Sequence, residues 1–174
     1  MGEKKYYCTY NMIHKTIRAL AEKIAESNYN PDVIVAIGTG GFIPARMLRT
    51  FLYKPILTVG IAYYDKNNKP SEYPRKIQWI DEVEEKLSGK KILLVDEVDD
   101  SRITLEYCLH ELLRHKPQEI AVAVLHNKKK EKRGSLPDAV RHYFEGKKLE
   151  DSWICYPWDA DDIDAHDIRA SSRS

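Results

Sequence analysis

Apolar positions define the first element: Ile13, Ile17, Leu20, Ala21 and Ile24 recur at the spacing that places them on one face of a helix. Asn11 is the expected N-cap, and Asn28 to Pro31 stop the helix. Val33 to Ile37, introduced by Asp32, is a short β-branched run of the kind buried on both faces of a sheet. A glycine loop, Gly38-Thr39-Gly40-Gly41, follows at once. Pro44 then suits a first helical turn, and Ala45 to Leu52 continue as helix. Ile56 to Ala62 reads as the next strand, whereas Tyr63 to Arg75 has no periodicity and predicts a functional lid or an irregular hairpin. Lys76 to Ile80, Lys91 to Val95 and Ile120 to Leu125 read as further strands. Ile103 to His115 reads as a helix with Leu105, Cys108, Leu109 and Leu112 on one face, and shorter strands are expected at Val140 to Phe144 and Trp153 to Tyr156. With no internal repeat and no linker, this order predicts one α/β domain over residues 1–174, a mostly parallel central sheet flanked by helices. Ligands of such sheets bind beyond the carboxyl ends of the strands, here after Ile37 and after Val95.

Charge narrows the class of partner. Lys and Arg total 28 against 27 Asp and Glu, a formal net charge of +1, which argues against gripping nucleic acid by bulk charge. Apolar runs such as Ile92 to Val95 are too short to span a membrane, and the N-terminal MGEKKYY lacks the apolar stretch of a signal peptide. Cys8, Cys108 and Cys155 form no CxxC pair, which predicts reduced thiols and a cytoplasmic setting. The histidines form no paired-ligand pattern, so no transition-metal site is expected. Residues 160–174, with Asp161, Asp162, Asp164 and Asp167, are expected to be loosely ordered.

The end of the Lys91 to Val95 strand is chemically unusual: Asp96, Glu97, Asp99 and Asp100 crowd four acids together. They could be solvated acids ahead of a helix, where the dipole favours negative charge. A sharper reading divides the segment. Asp96 and Glu97 would accept from vicinal hydroxyls or hold magnesium, while Ser101 to Thr104 form a loop entering a helix, suited to a phosphate. The string VDEVDDSRITL resembles the phosphoribosyl pyrophosphate signature of type I phosphoribosyltransferases, which runs as an apolar strand, two acids, two apolar residues, then Asp-Thr-Gly-x-Thr. Asp99 stands where that family is apolar, and Arg102 where it has glycine. The first departure matters little if Asp99 faces water. The second is tolerated if the Arg102 backbone accepts positive φ and its guanidinium helps hold the phosphate.

The resemblance extends along the chain. Gly38-Thr39-Gly40-Gly41 is similar to the family's pyrophosphate loop, with Gly38-Thr39 as a cis peptide before the paired glycines and Thr39 in place of a frequent cation. Asp151 to Asp159, DSWICYPWD, resembles the purine hood of 6-oxopurine members, in which Trp153 would stack on the base and the Ile154 backbone would read its 2-position. Lys128 falls where those enzymes place the lysine that donates to O6, although Lys128 to Arg133 alone reads as a solvated loop or a patch for an acidic partner. From Tyr10 to Asp159 the string is most similar to the fungal hypoxanthine-guanine and xanthine phosphoribosyltransferases. That resemblance implies a type I fold with a small C-terminal hood, built from the N-terminal residues and about 126–160. It implies transfer of phosphoribosyl from phosphoribosyl pyrophosphate to hypoxanthine, guanine or xanthine, with Mg2+ as cofactor. Asp100 would be the general base, and Asp96 and Glu97 would bind ribose and, with Asp159, the metal. Ser101, Arg102, Ile103 and Thr104 would hold the 5-phosphate; Gly38, Thr39, Gly40 and Gly41 the pyrophosphate; Tyr63 and Tyr64 would belong to a lid. A homodimer or higher homo-oligomer is expected, the helix from Phe42 to Phe51 contributing, with no nucleic-acid or membrane partner. The competing reading is a regulator on the same fold that binds RNA or a protein through Lys128 to Arg133.

Overall fold

Strand alternation divides the side chains of this protein between two cores; the structure, a computed structural model, describes residues 4–64 and 70–172. Its strands are β1 (Lys5–Tyr7), β2 (Val33–Gly38), β3 (Ile56–Tyr64), β4 (Pro70–Gln78), β5 (Lys91–Asp99), β6 (Glu119–Lys129), β7 (Val140–Glu150) and β8 (Trp153–Cys155). The helices are α1 (Tyr10–Glu26), α2 (Phe42–Leu52), α3 (Val83–Leu87), α4 (Ile103–Leu113) and α5 (Ile163–Ser171). Neighbouring strand positions face opposite ways. Ile34, Ala36, Leu93, Val95, Ala121 and Ala123 therefore pack with the apolar stripes of α1 and α2. Val35, Ile37, Ile92, Leu94, Val122 and Val124 pack with Leu105, Cys108, Leu109 and Leu112 of α4 and with Leu87 of α3. Burial on both faces is what makes these strands read as continuous apolar runs.

The main sheet has the order β4-β3-β2-β5-β6-β7, and β3–β4 is its one antiparallel pairing among the described residues. The expected mostly parallel sheet flanked by helices is present. A second sheet joins β1 to β8 in parallel, Lys5 opposite Trp153 and Tyr7 opposite Cys155. No helix among the described residues is long and apolar enough to cross a membrane.

One connection is short. Parallel pairing returns the chain from Lys129 at the end of β6 to Val140 beside Ile120 at its start, a distance of roughly 30 Å along the strand. Ten residues of helix would rise only about 15 Å, so residues 130–139 cannot form a crossover helix and instead make an irregular strap, closed at its end by the Val140 N–H donating to the Pro137 carbonyl at 2.9 Å. The strap they make runs over the entry to α4: the N–H groups of Arg133 and Gly134 both donate to the Ser101 carbonyl at 3.0 Å. Gly134 has no room for a side chain, since a Cβ would meet the Arg102 carbonyl oxygen at 2.7 Å.

Three expectations need correction, and one pair of alternatives is decided. Helix α1 begins at Tyr10, and its N-cap is Thr9, whose hydroxyl accepts from the Met12 N–H at 3.2 Å; Asn11 lies inside the first turn. That turn is solvent-facing, so apolar periodicity began too late to mark it. Of the two alternatives expected after Ala62, the described residues bear out the irregular hairpin: β4 pairs along β3 through register shifts at Gly60/Ile61 and Ala62/Tyr64. Strands β5 and β6 run past their apolar runs, to Asp99 and Lys129, because ladder pairing continues where the side chains turn polar. The tail expected to be loose carries α5: Asp162 caps it by accepting from the Ala165 N–H at 2.9 Å, and buried His166 donates from Nε2 to the Cys8 carbonyl at 2.9 Å. The acids that looked disordering sit at a helix N-terminus, where the dipole favours them.

The corrected cap is testable. Thr9→Ala should lower unfolding free energy by about 1 kcal/mol, while Asn11→Ala should change it by no more than about 0.5 kcal/mol, both read by urea denaturation. Equal losses would return the cap to Asn11.

Candidate active site

Because β5 runs past β2 and stays paired with β6, the carboxyl ends of β5 and β6 form one side of a cleft of about 370 Å³. It brings Asp96, Glu97, Asp100, Ser101, Arg102 and Thr104 together with Lys128, Trp153, Ile154 and Asp159, which lie well beyond them in the chain. Ile103 and Gly38 to Gly41 are not among its lining residues. The glycine loop nonetheless abuts the acids: a Cβ on Gly40 would run into the Glu97 carboxyl group. The Gly38–Thr39 peptide is cis. Of the expected lid, Tyr63 is buried in β3, while residues 65–69 and the side chain of Tyr64 lie outside the described residues.

Charge in the cleft is unevenly satisfied. Burial, then the neighbouring Glu97, push the Asp96 carboxyl well above its usual range; its Oδ1 accepts from the Glu97 N–H at 2.8 Å. Burial, then the charge of Asp159, push Glu97 up to about 7. Burial raises Asp159 too. Glu97 Oε2 is buried without a hydrogen-bond partner. Three acids in this condition form a site that gains from a cation or from hydroxyl donors. Asp100 is the contrast. Burial pushes its carboxyl up, but the ammonium groups of Lys130 and Lys128 outweigh that and set it below the usual carboxylate range. Lys130 Nζ lies 2.8 Å and Lys128 Nζ 3.4 Å from Asp100 Oδ1.

The donor set suits magnesium in a particular way. Among the described residues no three acidic, His or Cys side chains are arranged to hold a metal by themselves. Mg2+ does not require such a cage, since it keeps several waters and takes one or two carboxylates together with substrate phosphates. The orphaned Glu97 oxygen beside Asp159 fits that pattern.

Of the conditions set for the two departures from the signature, only the positive φ of Arg102 is met. Asp99 does not face water: it is fully buried, and its Oδ2 accepts from Arg102 Nε at 3.0 Å, Arg102 NH2 at 2.7 Å and the Tyr143 hydroxyl at 2.7 Å. Arg102 does adopt positive φ, at 70°, but its guanidinium is engaged with that carboxylate rather than free for a phosphate. The basic run is exposed at Lys129, Lys130, Glu131 and Arg133, as a solvated loop would be, but its lysines are paired. Lys128 and Lys130 pair with Asp100 and Asp151, Lys129 pairs with Glu150, and Lys132 reaches Asp99. Sequence reasoning also missed Tyr156, which lines the cleft and donates its hydroxyl to the Glu97 carbonyl at 3.2 Å, with His126 Nδ1 at 2.9 Å. Burial, helped by the charge of Lys147, pushes His126 down to about 4, so it stays neutral behind the acids. Only the position of Tyr156 within the Trp153 to Asp159 run could have signalled it.

Known proteins resemble the chain closely. A family profile described as a phosphoribosyl transferase domain matches residues 9–162. The hypoxanthine-guanine phosphoribosyltransferase of Schizosaccharomyces pombe is 42% identical over 96% of this chain and 95% of its own length. Xanthine phosphoribosyltransferase 1 of Saccharomyces cerevisiae is 36% identical over 98% and 97%. A crystal structure of a hypothetical protein from Neisseria gonorrhoeae with bound ppGpp is 50% identical with a TM-score of 0.93, covering 100% of this chain and 99% of that one.

The raised carboxylate makes a pH prediction. Glu97 has a folded pKa of about 7 against an ordinary 4.5, so between those values the folded chain keeps a proton that the unfolded chain has released. Stability is therefore favoured below about 4.5 and declines as pH rises through 7. Urea titrations of metal-free protein at pH 5 and pH 8 should show the decline, and Glu97→Gln should flatten it. An equal slope in both proteins would remove Glu97 as its source.

Proposed function

The chain belongs to the phosphoribosyltransferase family, and from that premise we propose that it transfers phosphoribosyl from phosphoribosyl pyrophosphate to hypoxanthine, guanine or xanthine in purine salvage. The observation that carries the choice of base is the pairing of Lys128 with Asp100, 3.4 Å from Nζ to Oδ1, in a cleft edged by half-exposed Trp153. A 6-oxopurine presents the O6 acceptor beside the N7–H donor, and a lysine next to a carboxylate is the complementary pair. Adenine presents an amino group at that edge, which Lys128 would repel.

In the proposed reaction the bond from ribose C1 to pyrophosphate oxygen breaks, the bond from C1 to the purine nitrogen forms, and Asp100 takes the proton from N7 as a general base. Its lysine partners keep Asp100 ionised and ready to accept. Trp153 would stack on the base and the Ile154 backbone would meet its 2-position. Asp96 and Glu97 would bind the ribose hydroxyls, and their negative charge favours a sugar that turns cationic. The loop Ser101 to Thr104, with its N–H groups at the start of α4, would hold the 5-phosphate. Gly38 to Gly41 would present backbone to the pyrophosphate, with Gly40 leaving room for Glu97. Family members generally use Mg2+ with the sugar donor, where it offsets charge on the departing pyrophosphate; Glu97, Asp159 and Asp96 are the side chains that would hold it.

A second reading concerns control. The N. gonorrhoeae relative binds ppGpp, a guanine nucleotide bearing two pyrophosphates, so it combines the chemical pieces of the two substrates. We infer that ppGpp would compete with phosphoribosyl pyrophosphate in this protein as well. The regulator alternative, RNA bound through Lys128 to Arg133, finds little support, since four of those cations are already paired.

Assays with phosphoribosyl pyrophosphate, Mg2+ and each base in turn should show turnover with at least one 6-oxopurine and none with adenine. Asp100→Asn should lower kcat by roughly 10²–10⁴-fold, the usual contribution of a positioned base, with KM for the sugar donor nearly unchanged. No turnover, together with RNA retained in filter binding, would favour the regulator instead.

A further inference from the structure

The two residues that depart from the phosphate-loop signature are partners of each other. Arg102 lies at φ 70° and ψ −3°, immediately before α4, a left-handed conformation that disfavours any residue with a Cβ. Something must hold it there. Its guanidinium is fixed by two bonds to Asp99 Oδ2, at 3.0 and 2.7 Å, and lies 5.3 Å from the centre of the Tyr143 ring. Tyr143 donates to the same Asp99 oxygen from β7, which keeps that carboxylate in place from the far side of β6. Lys132, from the strap, lies 3.5 Å from Asp99 Oδ1 and donates to three carbonyls: Asp99 at 2.7 Å, Asp100 at 3.0 Å and Lys128 at 2.9 Å. One ammonium thus ties the strap to the residue at each edge of the base pocket. Arg133 and Gly134 of the same strap hold the Ser101 carbonyl.

We propose that Asp99, Arg102 and Lys132 form a brace that positions the 101–104 loop for the 5-phosphate and keeps it in register with the Lys128–Asp100 edge. They are positioning residues for phosphoribosyl transfer, so the proposal rests on the activity proposed above. The brace does what a glycine at position 102 would do by conformational freedom alone. A freely flexible loop would have to be ordered by the substrate, at a cost in affinity; a braced loop is ordered beforehand. The Asp99 carboxylate is fully buried and depends on the partly buried guanidinium, so removing Arg102 strands a charge away from water, and removing Asp99 frees the guanidinium that holds the loop.

The test separates positioning from simple stability. Asp99→Asn keeps the shape and removes the charge. It should raise KM for phosphoribosyl pyrophosphate at least tenfold while KM for the purine and kcat change less than threefold. The double variant Asp99→Val/Arg102→Gly removes both buried charges and lets glycine take the positive φ, so it should recover KM for the sugar donor to within about threefold of the parent. In ligand-free protein, amide exchange at Ser101 to Thr104 should be faster in Asp99→Asn than in the parent. Unchanged KM for the sugar donor, an equal rise in both KM values, or a double variant no better than Asp99→Asn would each overturn the brace. If the parent itself shows no turnover, the proposed activity fails, and the exchange rates still decide whether the loop is braced.

Discussion

The register of β5 against β6 is the constraint on which the cleft depends. Asp96 lies opposite Val124, Val98 opposite His126 and Asp99 opposite Asn127, so the ladder continues beyond the apolar core and delivers Asp100 beside Lys128. A slip of one residue would exchange the faces of every side chain on the strand. Leu93 and Val95 would leave the core under α1 and α2, and the acids would leave the cleft. The apolar halves of both strands, buried on both faces, fix the register; the polar halves inherit it. Stability and chemistry are written in the same two strands.

Segregation of charge follows from that geometry. The formal charge of the whole chain is +1, yet acids with too few partners lie next to an acid with an excess of them. Burial raises Asp96, Glu97 and Asp159, with Glu97 adding to the rise at Asp96 and Asp159 to that at Glu97, while Asp100 is held down by two ammonium groups. Over a short distance the cleft therefore offers a place for a cation or hydroxyls and a place for a proton acceptor. Environments that drive like groups apart in this way are how one fold assigns different tasks to chemically identical side chains. The strap over α4 adds the mechanical part, since residues 130–139 are too few for a crossover helix and instead hold the Ser101 carbonyl through two N–H groups.

Much of this was legible beforehand. The stripe Ile13 to Ile24, the buried runs of β2, β5 and β6, and the motifs VDEVDDSRITL and DSWICYPWD carried the fold class and most of the residues that line the cleft. The misses share a cause. Thr9 was missed as a cap because the first turn of α1 faces solvent; α5 was missed because its acids look disordering until β1 lies beside them; the start of β4, ahead of Lys76, was missed because edge pairing needs little apolar pattern. Periodicity reports burial, and these elements are defined by hydrogen bonds instead.

The sequence by itself determined which strands are doubly buried, the order of the elements and the chemical character of the strand ends, because periodicity and residue type are local properties. Tertiary structure decided the partners. Asp99 reads as an odd acid in an acidic run, and Arg102 as an unsuitable residue where glycine belongs. Only the meeting of β5, β7 and the strap makes them a buried pair held by Tyr143 and Lys132. The basic run from Lys128 reads as a solvated patch until the return of β7 brings Glu150 and Asp151 alongside it. A charge acquires its role from what stands within a few ångströms of it, and chain distance does not record that.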